Sequence, residues 1–163
     1  MHGIYKTIGA LSATLPSDRA IRIQRHFAAP RQLVWDAHTQ PALLKRWLLG
    51  PPGWTMPVCN VDLRVGGKYR YEWHHDKGLA MALSGTYREI VMPERISDTQ
   101  VFDDDWTMGP YDTTLVLSDR DHGTELTLEI TYASKQARDV AAATPMLEGM
   151  EAGYIRLEAV SSL

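Results

Sequence analysis

A chain of 163 residues, 44% hydrophobic and 23% charged, is long enough for one domain with its own core, and its composition excludes both a membrane-embedded and a globally disordered chain. Its formal charge is -3, from 17 basic and 20 acidic residues mixed along the sequence, so no basic surplus marks a nucleic-acid groove. The single cysteine, Cys59, excludes an intrachain disulfide and a thiolate zinc cluster, and it fits a reducing, cytoplasmic location.

Residues 1–19 are expected to form an N-terminal arm. The apolar stretch from Ile8 to Leu15 is interrupted by Gly9, Ser12 and Thr14 and closed by Pro16, a poor core for a targeting signal. The domain is expected over 20–163. It opens with the alternating segment Ala20 to Phe27, a half-buried strand. Pro30 suits the first turn of a helix that runs to His38 with Leu33, Val34 and Ala37 on one face. Pro41 opens a second helix, whose apolar face is Leu44, Trp47 and Leu48, and Gly50-Pro51-Pro52-Gly53 ends it. Trp35 and Trp47 are spaced to pack these helices on the end of a sheet.

Strand patterns then recur with turn signals between them. Val58 to Val65 alternates, with Val61, Leu63 and Val65 on one side and Asp62 and Arg64 on the other, before the Gly66-Gly67 reversal. Lys68 to His75 places Tyr69, Tyr71, Trp73 and His75 on one face. Leu79 to Ile90, Arg95 to Phe102, Tyr111 to Leu117 and the segment from Leu126 to Tyr132 follow. Asp103-Asp104-Asp105 reads as a solvated loop. The total is about seven hairpin-linked strands, whose natural product is an antiparallel sheet. Beyond Ala133 the period becomes helical. Ser134 caps one helix, and Thr144-Pro145 opens a last one striped by Met146, Met150, Tyr154, Leu157 and Val160. Gly149 and Gly153 on that helix each cost about 1 kcal/mol against alanine, so they are expected to permit a close approach to the sheet or to leave room above it.

The blocks Ala29-Pro30, Val34-Trp35, Thr39, Pro41, Trp47, Gly50-Pro51, Asp62-Leu63-Arg64, Gly66-Gly67, Gly85-Thr86-Tyr87-Arg88-Glu89-Ile90, Pro93-Glu94-Arg95-Ile96, Gly123-Thr124-Glu125-Leu126 and Gly149-Met150 go further. In this order they resemble the branch of the START and Bet v 1-like (SRPBCC) superfamily named after the activator of heat-shock protein 90 ATPase. The resemblance runs from about Ile21 to the C-terminus. It implies an α+β helix-grip fold: a curved antiparallel sheet, two short helices and a long C-terminal helix enclosing a cavity that in relatives holds apolar molecules.

Within that fold the pocket wall is expected from Tyr69, Tyr71, Trp73, His75, Met81, Leu83 and Tyr87 on the sheet and from Met146, Met150 and Tyr154 on the last helix, since amphipathic aromatics and adaptable methionines suit an apolar guest. Adjacent His74 and His75 point to opposite faces and cannot share a metal ion, so no metal or cofactor is expected. No nucleophile elbow or phosphate-cradling glycine loop occurs. The leading expectation is a small-molecule binding protein, a monomer or homodimer, taking an apolar or amphipathic ligand. An alternative is a polyketide cyclase or aromatase in which His75, a tyrosine or Glu72 moves a proton. A third reading is a partner of the heat-shock protein 90 chaperone.

Overall fold

In the computed structural model, which describes residues 3–161, the alternating segments assemble into one curved, unclosed antiparallel sheet of nine strands. In chain order these are β1 (Ile4–Ile8), β2 (Leu11–Ser17), β3 (Ala20–Phe27), β4 (Trp54–Val61), β5 (Lys68–His75), β6 (Ala80–Val91), β7 (Arg95–Phe102), β8 (Tyr111–Arg120) and β9 (Gly123–Thr131). Four helices accompany them: α1 (Arg31–Thr39) and α2 (Pro41–Trp47) between β3 and β4, then α3 (Lys135–Ala142) and α4 (Met146–Ser161) at the end. The spatial order is β1-β2-β3-β9-β8-β7-β6-β5-β4. After β3 the chain crosses through α1 and α2 to the far edge and returns strand by strand until β9 lies beside β3. This is the helix-grip arrangement, and it leaves α4 to cover the concave face.

The first correction concerns the expected arm. Most of the segment before Ala20 is β1 and β2, an edge hairpin that extends the sheet from about seven strands to nine. Its apolar residues are few, but Leu11 and Ala13 are fully buried. Two tethers also bind it to the last helix: Lys6 pairs with Glu148 at 2.8 Å, and the Ala10 amide donates to Glu151 at 3.3 Å. Residues 1, 2, 162 and 163 lie outside the described residues.

The second correction concerns the segment after Val61. The alternation predicts a strand to Val65 with Leu63 and Val65 on the face of Val61, but β4 ends at Val61 and both side chains are exposed. Residues 62–67 instead form a turn pinned to β6, in which the Gly66 amide donates to the Tyr87 carbonyl at 2.8 Å and the Tyr87 amide to the Gly67 carbonyl at 3.0 Å. A Cβ on Gly67 would fall 2.1 Å from the Asp62 carbonyl oxygen, so the turn closes only around glycine. Arg64 bonds Asp62 at 2.8 Å across it.

α4 is held to the molecule by a buried ion pair. Arg25, on the inner face of β3 beside Ile23 and Phe27, donates from Nε to Glu151 Oε1 at 2.7 Å and from a terminal nitrogen to Oε2 at 3.1 Å. Both side chains are buried, and the guanidinium also lies 4.7 Å from the centre of the Phe27 ring. Such a fork fixes direction as well as distance. The two helix glycines serve a different neighbour from the one expected. A Cβ on Gly153 would meet the Trp47 carbonyl oxygen at 3.1 Å, and one on Gly149 would lie 3.6 Å from Pro51, so the close approach is to α2 and its following turn rather than to the sheet. Thr144 does not cap α4 either; its hydroxyl donates back to the Ala141 carbonyl at 2.6 Å. Ser134 does cap α3, accepting from the Ala137 amide at 3.0 Å.

Candidate ligand-binding site

Because side chains alternate along a strand, each strand under α4 sends every second residue into the concavity. From β5 these are Tyr69, Tyr71 and Trp73; from β6, Met81, Leu83 and Tyr87; from β7, Ile96, Asp98, Gln100 and Phe102. Tyr111, Thr113 and Leu115 of β8 and Leu128 and Ile130 of β9 continue the floor. Met146, Met150 and Tyr154 of α4 form the roof, with Trp47 and His38 at the helical end. They enclose a cavity of about 680 Å³, within the usual size range for small-molecule sites.

Nine of the ten residues expected on the wall therefore lie there: Tyr69, Tyr71, Trp73, Met81, Leu83, Tyr87, Met146, Met150 and Tyr154. His75 does not. It has the right parity but sits at the end of β5, where its ring packs edge-on against Trp54 at 5.0 Å and its Nδ1 accepts from the Lys77 amide at 3.0 Å. Gly53, with φ of +100°, makes room for that ring: a Cβ there would come 2.5 Å from His75 Nε2. Glu72 faces away from the cavity and receives a hydrogen bond from Arg70 at 2.8 Å. Neither side chain named as a proton carrier alongside the tyrosines lines the cavity.

The polar heart of the cavity lies elsewhere. Asp98 Oδ2 accepts from the Tyr69 hydroxyl at 2.6 Å and from Gln100 Nε2 at 3.4 Å, Oδ1 accepts from the Thr113 hydroxyl, and Gln100 Nε2 also donates to the Tyr69 oxygen at 2.7 Å. Burial raises the Asp98 carboxyl from its ordinary value, against the downward pull of the hydrogen bonds from Thr113, Tyr69 and Gln100. Burial first, then the Asp98 charge, pushes the Tyr69 phenol well above its own, so this hydroxyl remains a donor.

Gly85 is what brings Tyr69 to Asp98. In register, Tyr69 of β5 pairs with Gly85 of β6, and Gly85 pairs with Gln100 of β7. The Tyr69 ring lies across the glycine, where a Cβ would fall 2.0 Å from Cζ, and so spans a whole strand to reach β7. A glycine inside a strand with side chains on both neighbours is the sequence signal for such a crossing. Asp98 itself gives none, since one acidic residue among the alternating polar residues of β7 reads as solvent-facing.

His38 is the other titratable wall residue. Its Nδ1 lies 2.8 Å from the Val34 carbonyl, its ring meets Trp47 edge-on at 5.0 Å, and burial pushes its pKa down to about 4. It is neutral at pH 7. Among the described residues no three His, Cys, Asp or Glu side chains gather as a metal site requires, and no helix is long and apolar enough to cross a membrane.

A curved sheet gripping a terminal helix over an aromatic hollow defines a protein of the helix-grip class. The chain belongs to the family described as Activator of Hsp90 ATPase homolog 1-like protein, whose pattern matches residues 28–162. Among solved structures it is similar to a Rhodobacter sphaeroides protein at 32% identity and a TM-score of 0.88, covering 94% of this chain and 99% of that one. A Chromobacterium violaceum protein follows at 29% identity and 0.77, covering 90% and 99%. The AHSA1-like protein from Aeromonas hydrophila, at 20% identity and 0.68 with 88% and 92% covered, shares the fold. No curated protein matches the chain.

Proposed function

We propose that this protein binds one small amphipathic molecule, largely apolar, in the hollow between α4 and the concave sheet face. The observation that carries the reading is the contrast within one cavity of about 680 Å³: walls mainly of aromatic, leucine and methionine side chains, and a hydrogen-bonded cluster centred on the Asp98 carboxyl. Burial of apolar surface supplies affinity at about 25 cal/mol per Å², before the costs of association and ordering. The cluster fixes the orientation of the guest. Native mass spectrometry of freshly purified protein tests this. The reading expects a mass increment of one bound molecule, or one-to-one uptake of an added amphiphile; a chain that stays at its bare mass with every apolar additive offered speaks against it.

A further inference from the structure

The hydrogen-bond inventory of the polar cluster specifies the head group of the guest, an inference that rests on the binding reading above. Every hydroxyl proton in the cluster is spent inward: those of Tyr69 and Thr113 both go to Asp98. The Gln100 amide nitrogen serves Tyr69 and Asp98, and its orientation is fixed, since the flipped amide would set an oxygen against the carboxylate. Within the Asp98–Tyr69–Gln100–Thr113 cluster the unused capacity is acceptor capacity; the hydroxyls of Tyr71, Tyr87 and Tyr111, elsewhere on the wall, have no partner among the described residues. The carboxylate has about four acceptor positions, three of them occupied, and neither Gln100 Oε1 nor Thr113 Oγ1 accepts a hydrogen bond from the described residues. A guest that brings donors matches this cluster; one that brings only acceptors meets lone pairs.

Charge points the same way. Among the described residues Asp98 is the only Asp, Glu, Lys or Arg on the cavity wall, and His38 there is neutral. Arg88 is the cation among the described residues that acts on it, yet Arg88 donates to the Asp98 main-chain carbonyl at 3.2 Å and approaches Asp112 at 3.8 Å. A buried carboxylate served by neutral donors alone is undercompensated, and a cation beside it repairs that deficit. The Tyr69 ring centre lies 4.9 Å from that of Tyr71 and 5.0 Å from that of Tyr87, and aromatic faces in such a group attract a cation and repel an anion.

We propose that the ligand is a lipophilic amine: an apolar body ending in a protonated primary or secondary amine, whose N–H groups donate to Asp98 and to the free oxygens of Gln100 and Thr113. The upward displacement of the Asp98 carboxyl is the protein's side of the same deficit. Isothermal titration of the full chain at neutral pH with decylamine, decan-1-ol and decanoate, which share one apolar tail, tests the assignment. Decylamine is expected to bind one to one, at least about tenfold tighter than the alcohol, as a charged hydrogen bond warrants, with decanoate weakest. Asp98→Asn, nearly isosteric and uncharged, is expected to abolish the amine preference, bringing decylamine to the affinity that the alcohol shows for the same variant.

Decanoate binding as tightly as decylamine, equal affinity for all three, or an amine preference that survives Asp98→Asn each overturns the assignment while leaving the cavity a binding site. Failure of all three to bind removes the binding reading together with it. The three-way comparison uses the unsubstituted protein, so it decides the matter even if Asp98→Asn does not fold.

Discussion

At the scale of single residues, burial moves the two titratable carboxyl and imidazole groups of the cavity wall in opposite directions, Asp98 up and His38 down. The folded pKa of His38 lies near 4, against an ordinary value of 6.5, because burial disfavours the imidazolium. Between those values the unfolded chain takes up a proton that the folded chain refuses, so stability is lost as pH falls from about 6.5 towards 4, by on the order of 2 to 3 kcal/mol. His38→Asn keeps a polar side chain without the titration. Urea unfolding at pH 7 and pH 4.5 is expected to show a smaller acid loss in the variant than in the parent; an equal loss places the acid sensitivity elsewhere. Gly85 makes the second case. Alanine there would need the space the Tyr69 ring occupies, so Gly85→Ala should cost about 1 to 3 kcal/mol by overpacking. It should also raise the Asp98 pKa further by removing the Tyr69 hydrogen bond, a change that a carboxyl carbon-13 NMR titration reads directly. An unmoved Asp98 would mean that the ring is not held there.

At the scale of elements, the placement of α4 decides whether a hollow exists at all. Its two glycines make a controlled contrast, because the helix-propensity gain of about 1 kcal/mol on replacement by alanine is the same at both. At Gly149 the new methyl group meets Pro51 at ordinary contact distance, so Gly149→Ala is expected to stabilise the protein by about 0.5 to 1 kcal/mol. At Gly153 it would press on the Trp47 carbonyl, which already accepts from the Leu49 amide at 2.8 Å, so Gly153→Ala is expected to destabilise. Thermal melts of the two variants should move in opposite directions, and a shared direction would contradict the packing of α4 against α2. The Arg25–Glu151 pair is the other anchor. Glu151→Gln leaves the buried guanidinium only the half-exposed Glu158 carboxylate at 3.4 Å and should cost at most about 3 to 5 kcal/mol, whereas replacing both Arg25 and Glu151 by Met and Leu should cost less. Equal losses in denaturant unfolding would show that the pair contributes through packing alone.

At the scale of the molecule, local pattern and long-range partnership divide what could be read beforehand. Strands β5 and β7 were legible to the residue, and the family blocks named the fold, because alternation and turn chemistry are local signals. The N-terminal hairpin was not legible. Its alternation is short, with Leu11 and Ala13 its fully buried residues, and the α4 carboxylates that tether it, Glu148 and Glu151, lie more than 130 residues away. The wall tyrosines followed from the parity of β5, whereas His75 obeyed the parity and still missed the cavity, because the strand ends beside Trp54 and Gly53. Asp98 was hidden for the opposite reason: its partners Tyr69 and Thr113 belong to two other strands, and only the register assembles them.

The central claim is that the space under α4 receives a guest. Mapping amide chemical shifts by NMR during titration with decylamine tests it most directly. The account predicts saturable changes at the wall residues Tyr69, Leu83, Asp98 and Met150, with the outer edge strand β1 still. Changes confined to exposed surface, or none at millimolar additive, would contradict it.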